Sequence, residues 1–262
     1  MPLVSVLMPH FGNEPYLAEA VASVLAQDLH DLELHVVDDA SPDERWLAEL
    51  APFRGDRRLV LWRSSVNVGT YRLKNALLAR CAGRYVAFHD SDDRSVARRL
   101  SRQVEYLEDA RLDIVGSWVR YVTERGEFVR HGPMVHNVNL WRSLGLRSLV
   151  KHASCVVRRE AFGLLKGFDG TARVSADDDF IFRAAHVCKI RNLRAFLYDV
   201  RLCQSSLTRA PATGLRSPMR RAYDADTRAR DRARRQLRER EALLRSLVPP
   251  ANDVAFELHR VD

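Results

Sequence analysis

Short apolar runs and helix-spaced apolar positions alternate along the first third of the chain. Val4-Ser5-Val6-Leu7-Met8 is an apolar run stopped by Pro9, Gly12 and Asn13, the pattern of a buried strand followed by a loop. From Pro15 to Gln27, the positions Leu17, Val21, Val24 and Leu25 recur at helical spacing. Glu33-Leu34-His35-Val36-Val37 predicts a second strand ended by Asp38-Asp39, and Ser41-Pro42-Asp43-Glu44 a helix start, with proline near the first helical position and acids in the first turn. Arg58 to Trp62 reads as a third strand, Tyr71 to Arg80 as a helix ending near Gly83, and Tyr85 to Phe88 as a fourth strand. This alternation predicts an α/β fold of βαβ units with a mostly parallel, Rossmann-like sheet flanked by helices. Ligands of such sheets collect beyond the carboxyl ends of the strands.

The remainder is less regular. Ile114 to Val122, interrupted by Gly116, predicts a strand, Glu124-Arg125-Gly126-Glu127 a hairpin turn, and Ser154 to Val157 another short strand. Asp179 to Val187 is helical, with Phe180, Ala184 and Val187 on its apolar face. Pro211, Gly214 and Pro218 mark a breaker-rich linker, and Arg220 to Leu247 is a long, highly charged helix candidate before Pro249-Pro250.

The chain has 262 residues, 46% of them hydrophobic, enough for a substantial core. No apolar run approaches membrane-spanning length, and the first residues lack the basic segment and long apolar stretch of a signal peptide, so a cytoplasmic protein is expected. The four cysteines (Cys81, Cys155, Cys188, Cys203) are scattered without a CxxC pair and fit neither a zinc site nor a disulfide scaffold. The net charge of +8 is concentrated between Arg216 and Arg245. Asp224, Asp226, Asp231, Glu239 and Glu241 interrupt those arginines, and Tyr223 is their aromatic neighbour. Mixed charge suits a salt-bridged helix better than a nucleic-acid-binding arm, and no nucleic-acid partner is expected. Self-association, or contact with an anionic acceptor or the inner face of a membrane, are the roles left for this helix.

The sharpest chemical signal is Phe88-His89-Asp90-Ser91-Asp92-Asp93-Arg94, where three carboxylates follow a core strand. Acids this close repel and raise one another's pKa. Asp90 and Asp92 offer oxygens to one Mg²⁺ or Mn²⁺, which accepts a partial protein shell when substrate phosphates complete it. Alternatively, Asp92 or Asp93 caps a helix beginning near Ser95. Asp38-Asp39 alone reads as a turn plus a cap before the next helix, but two acidic clusters at parallel-strand ends fit a single nucleotide lying across both, one carboxylate accepting from base or ribose and the other holding the metal on the diphosphate.

Val4 to Glu14, Ser23 to Gln27, Val36 to Asp43, Asn67-Val68-Gly69-Thr70 with Lys74-Asn75, and Ala82 to Asp93 together resemble the family 2 inverting glycosyltransferases of GT-A fold. The likeness covers roughly residues 3 to 208, which implies a GT-A domain over 1–208 (nucleotide-binding half 1–110, acceptor-side half 111–208) and a linker with a charged helical extension over 209–262. The resemblance implies that Pro9, Phe11 and Glu14 lie beside the nucleotide and that Asp39 bonds the base. It places Lys74 near the nucleotide or its phosphates, Asp90 toward ribose or metal, and Asp92 on the metal, with Asp93 capping the next helix. In Ser175-Ala176-Asp177-Asp178-Asp179-Phe180-Ile181-Phe182-Arg183, the register of Phe180 and Arg183 puts Asp177 at the general base, with Asp178 the alternative because Ala176 stands where the family carries Glu. Lys166 in Leu165 to Asp169 replaces a family glycine. His152 faces the acceptor or is a core histidine. Cys203 occupies a position where relatives carry His, leaving Gln204 or Arg201 to replace that contact. The implied activity is transfer of a sugar from a nucleotide diphosphate, UDP foremost, to a hydroxyl of a glycan, lipid-linked or small-molecule acceptor, assisted by Mn²⁺ or Mg²⁺. A sugar-nucleotide-forming nucleotidyltransferase would carry a glycine- and lysine-rich first loop, whereas Pro9 to Glu14 holds one glycine and no Lys or Arg.

Overall fold

The structure is a computed structural model and describes residues 1–12, 15–144, 146, 149–203, 210–250 and 254–261. Its first part runs β1 (Val4–His10), α1 (Leu17–Leu25), β2 (Leu32–Asp38), α2 (Arg45–Leu50), β3 (Leu59–Ser64), α3 (Thr70–Leu78) and β4 (Tyr85–Phe88). Then follow β5 (Arg94–Ser95), α4 (Arg99–Asp109), β6 (Ile114–Val122), β7 (Phe128–Gly132), α5 (Val138–Ser143), β8 (Val156–Arg158), α6 (Arg159–Leu165), α7 (Ala176–Ala184) and β9 (Ile190–Arg201). The chain finishes with α8 (Pro218–Gln236), α9 (Arg240–Ser246) and β10 (Leu258–Val261).

One sheet holds all ten strands in the order β10-β3-β2-β1-β4-β8-β6-β9-β5, with β7 paired to β6. β3, β2, β1 and β4 are parallel. Successive residues of a strand face opposite sides, so Leu7 and Val37 join one apolar layer while Val6, Met8 and Val36 join the other. Both faces are covered, which explains why these strands read as continuous apolar runs. Gly83 is required where the chain enters β4, since a Cβ there would lie 2.5 Å from the Ser5 backbone nitrogen. From β1 the chain steps outward to β2 and β3, then returns to the opposite side of β1 for β4. That reversal opens a crevice at the carboxyl ends of β1 and β4, between His10 and Asp90.

Three expectations are corrected. The helix placed at Asp179 to Val187 begins at Ala176, because three acids in its first turn favour the positive end of the helix dipole. The helix placed at Arg220 to Leu247 is two helices, α8 and α9, with Leu237 in extended conformation between them. This segment also packs against the rest of the molecule. Asp231 receives Arg142, His186 (3.0 Å) and Arg235 (3.1 Å). Burial works against the Asp231 charge, yet His186, Arg142 and Arg235 pull the carboxyl down to about 2. Leu247 is fully buried in the same apolar layer as Leu7 and Phe88, and β10 extends the sheet antiparallel to β3. Thirdly, β9, which runs parallel to β6, was not expected.

Candidate active site

The two aspartates ending β2 have different fates. Asp38 is fully buried, its carboxylate accepting the Ser41 N–H (3.0 and 3.3 Å) and hydroxyl, with Arg63 Nε at 3.4 Å. It holds the turn and does not face the crevice. Asp39 accepts the Val68 N–H at Oδ1 (2.7 Å) and the Gly69 N–H at Oδ2 (2.8 Å). Gly69 has φ +89, the left-handed region that lets its amide turn toward Asp39 at the start of α3. Asn67 completes the link, donating to the Asp39 carbonyl at 3.1 Å and accepting from Arg173 at 3.2 Å. Burial nevertheless keeps the Asp39 carboxyl above its ordinary value. The first loop leaves β1 with Pro9 opposite Val37 and with Phe11 53% exposed on the crevice rim. His10 ties this loop to the acidic one through Ser91 (Nδ1 to Oγ, 3.4 Å). Glu14 lies outside the described residues.

Beyond β4, one oxygen each from Asp90, Asp92 and Asp93 lies within 4.8 Å of the others. The loop is braced from outside. The Asp90 N–H donates to the Tyr198 hydroxyl (3.0 Å), and Arg201 donates its N–H to Asp93 Oδ1 (2.8 Å) and its Nε to the Asp92 carbonyl (2.8 Å). Arg201 also binds Glu19 and the Glu124 carbonyl, so it serves the loop as a brace. Gln204 lies outside the described residues, while the Cys203 thiol is hydrogen-bonded to Asp92. Asp93 caps no helix, because the next one, α4, begins at Arg99 and takes no side-chain cap. Burial, with Asp90 beside it, pushes the Asp92 carboxyl up to about 6, and burial with Asp92 pushes Asp93 well above the usual range. Crowded carboxylate oxygens that resist ionisation are a fit for a hard divalent cation, whose charge relieves the crowding. Lys151 faces the same loop: burial works against its charge, but Asp93 and Asp90 hold the ammonium above its ordinary value.

The opposite wall is α7. Asp177 Oδ1 accepts the Tyr71 hydroxyl at 2.8 Å. Lys74, three residues along α3 and so on the same face, is buried with Nζ 5.5 Å from the Phe88 ring centre and 5.9 Å from that of Tyr71. His152 stacks on Phe88 (4.2 Å between centroids) and leaves Nε2 with no hydrogen-bond partner. Burial, then Lys74, pushes His152 down to about 3, so it is neutral at pH 7. Burial alone would raise Asp177; the Tyr71 hydroxyl and Lys74, joined by His152 whenever that ring carries a proton, outweigh it and hold the carboxyl below its ordinary value. His152 feels Lys74, Asp177, Asp90 and Lys151 together, so groups from four stretches of chain share one basin. Asp178 follows Asp177 on α7 and does not take the Tyr71 bond. Asp179 is fully buried and pairs with Arg183 (2.7 Å), whose guanidinium also reaches the carbonyls of Leu165, Gly167 and Leu247.

Sequence reasoning missed Tyr71, Lys151, Arg173 and Arg220 as contributors. The signal for Tyr71 was its spacing, three residues before Lys74 on a helix whose start is fixed by Gly69.

The model for glycosyl transferase family 2 matches residues 5–165, more than half of the chain. EpsJ of Bacillus subtilis (strain 168), described as an uncharacterized glycosyltransferase, is 30% identical over 229 residues, 80% of this chain and 64% of EpsJ. The fold is similar to S. aureus TarS 1-349 in complex with UDP-GlcNAc (TM-score 0.67, 22% identity, 79% of this chain and 60% of that one). It is also similar to the mannosyltransferase PcManGT of Pyrobaculum calidifontis in complex with GDP-Man and Mn²⁺ (TM-score 0.61, 18% identity, 94% and 68%). The chain thus spans between 60% and 68% of the length of these proteins. With the matched motifs running from β1 through α6 on a GT-A sheet, this chain belongs to glycosyl transferase family 2.

Proposed function

We propose that the protein is an inverting glycosyltransferase that moves a sugar from a UDP-sugar to a hydroxyl acceptor in the assembly of a glycan. The observation that carries this reading is the convergence at one strand-order reversal of a base-side carboxylate (Asp39), a three-carboxylate cluster (Asp90, Asp92, Asp93) and a separate, low-pKa carboxylate (Asp177). The UDP-GlcNAc complex of TarS supports the donor class, and the GDP-Man and Mn²⁺ complex of PcManGT supports a metal.

Asp39 keeps a second lone pair on each oxygen after its two backbone bonds, and these take the N–H of the base. Phe11, exposed on the rim, offers its ring to the same base. Asp92 and Asp90 would hold a divalent cation, which when bound would neutralise charge developing on the departing diphosphate. Lys151 adds positive charge beside that cluster, and Lys74 adds it beside Asp177 and His152. Asp177 is ionised at neutral pH, and with Oδ1 engaged by Tyr71 its Oδ2 is the oxygen that takes the acceptor's proton. Attack by the acceptor oxygen opposite the leaving diphosphate inverts the anomeric centre. Among the described residues no helix is long and apolar enough to cross a membrane.

Calorimetric titration with UDP tests the reading. Binding should require Mn²⁺ or Mg²⁺, disappear in EDTA, and be lost in Asp92→Asn. Equal affinity with and without metal would remove the metal assignment.

A further inference from the structure

Asp177 is held from two sides, and one of them comes from the segment outside the family match. On the α3 side, the Tyr71 hydroxyl donates to Oδ1 at 2.8 Å, and its ring, 8% exposed, is steadied by Phe168 at 5.9 Å between centroids. On the α8 side, the object held is Ser175, the residue preceding α7. Ser175 is buried and has φ +60, a left-handed conformation that strains a non-glycine residue and needs a brace. Arg220, in the first turn of α8, donates from Nη1 to the Ser175 hydroxyl at 3.0 Å. It is itself aimed by a second bond from Nε to the Thr213 carbonyl at 3.0 Å, while Ser217 caps α8 by accepting the Arg220 N–H at 3.2 Å. Tyr223, three residues along the helix, secures the preceding loop by donating to Asp169 Oδ2 at 3.0 Å. The charge of Arg220 is also felt at the Tyr71 hydroxyl, so the two holds meet at the same carboxylate.

We propose that Tyr71 and Arg220 are positioning residues for Asp177: Tyr71 engages Oδ1 so that Oδ2 meets the acceptor hydroxyl, and Arg220 fixes the left-handed Ser175 from which the Asp177 helix starts. The proposal rests on the reading of Asp177 as the general base. In the step it serves, the acceptor oxygen bonds the anomeric carbon as the bond from that carbon to the diphosphate oxygen breaks. The electron pair leaves with UDP and the acceptor's proton passes to Asp177 Oδ2. The segment beyond residue 209 then belongs to the catalytic machinery, since α8 carries the side chain that sets the base.

The other groups facing Asp177 are Lys74 on α3, Lys151, His152 and Cys155 before β8, and Asp178 on α7 itself. Tyr71→Phe alters none of them and keeps the ring. It removes one hydrogen bond to an ionised carboxylate, so Oδ1 is no longer engaged and Oδ2 is no longer held in one orientation.

The experiment uses the full chain with Mn²⁺ and an equimolar mixture of UDP-glucose, UDP-galactose, UDP-GlcNAc and UDP-GalNAc, reading UDP released to water at pH 7.5. UDP affinity by calorimetry and the melting temperature are measured in parallel. Tyr71→Phe should lower kcat about tenfold and leave KM and UDP affinity unchanged, the signature of lost orientation of the base without lost binding. Arg220→Gln should lower kcat about tenfold at unchanged UDP affinity and melting temperature, with Arg220→Lys recovering part of the loss. A wild-type kcat in Tyr71→Phe, or a more than fivefold loss of UDP affinity in Arg220→Gln, would overturn the proposal, the latter making Arg220 a nucleotide ligand. Asp177→Asn separates the two levels of the argument. If it is inactive while Tyr71→Phe behaves as wild type, the positioning role alone is wrong. Activity in Asp177→Asn, or no UDP release by the wild type, removes the base assignment with it.

Discussion

Asp92→Asn should make the metal-free protein more stable. Asp92 ionises at about 6 in the folded chain, raised first by burial and then by Asp90, against 3.8 for an ordinary aspartate. A folded-state carboxyl pKa above the unfolded value lowers stability as pH rises. Below 3.8 both states hold the proton and the difference is nil, between 3.8 and about 6 the unfolded chain alone releases it, and above 6 the penalty is full. The full penalty corresponds to about 3 kcal/mol, which solvent at the partly buried carboxylate reduces to about 1–3 kcal/mol. Asparagine fills the same volume without the charge, so Asp92→Asn should raise the melting temperature in EDTA at pH 7.5 by roughly 2–10 °C. At pH 4 the gain should vanish. Mn²⁺ should close or reverse the gap, because the cation stabilises wild type by about 2.7 kcal/mol at a hundred times its Kd and does little for the variant. Thermal melts of both proteins at pH 4 and 7.5, in EDTA and in MnCl₂, read all four cells. A variant less stable than wild type in EDTA at pH 7.5, or an equal Mn²⁺ shift in both, would refute the idea that this cluster is a destabilised cation site.

Other substitutions follow from the same contacts. Asp177→Asn should preserve UDP and metal binding while lowering transfer by about 10²–10⁴-fold, and Asp178→Asn should do much less; the reverse outcome, read as UDP release, would move the base by one residue. Asp39→Ala should weaken UDP binding by roughly 1–3 kcal/mol in a calorimetric titration, since the base loses a buried acceptor; unchanged affinity would put the base elsewhere. Asp179→Ala leaves the fully buried Arg183 without its carboxylate and should cost about 3–5 kcal/mol in urea unfolding, whereas a loss under 1 kcal/mol would mean that the carbonyls of Leu165, Gly167 and Leu247 suffice to hold the charge.

The first part of the chain was legible because its strands are buried on both faces. Val4 to Met8, Glu33 to Val37 and Tyr85 to Phe88 are apolar runs for that reason, and the acids that end them are visible against them. Asp90 and Asp92 stand together in space as their spacing suggested. Asp38 and Asp39 could not be told apart by sequence, since one residue decides which carboxylate turns into the loop and which toward the crevice. α4 is marked only by Leu100, Gln103 and Leu107 at helical spacing among charged neighbours. β9 was harder: its exposed Arg194 breaks the alternation, and its register with β6 slips beside Trp118. Arg220 was beyond reach, because its partner Ser175 is 45 positions away and nothing distinguishes it among neighbouring arginines. Local pattern reports burial, whereas the identity of a long-range polar partner depends on packing that brings α8 across α7.

The central claim is a metal-dependent release of nucleoside diphosphate from a sugar nucleotide, with Asp92 and Asp177 contributing separately. The most direct measurement is a screen of UDP-, GDP- and TDP-sugars with Mn²⁺, scoring free nucleoside diphosphate for wild type, Asp92→Asn and Asp177→Asn. The account predicts UDP release by the wild type that EDTA abolishes, loss of both binding and release in Asp92→Asn, and retained UDP binding without release in Asp177→Asn. Release that persists in EDTA, or in Asp177→Asn at the wild-type rate, would contradict it.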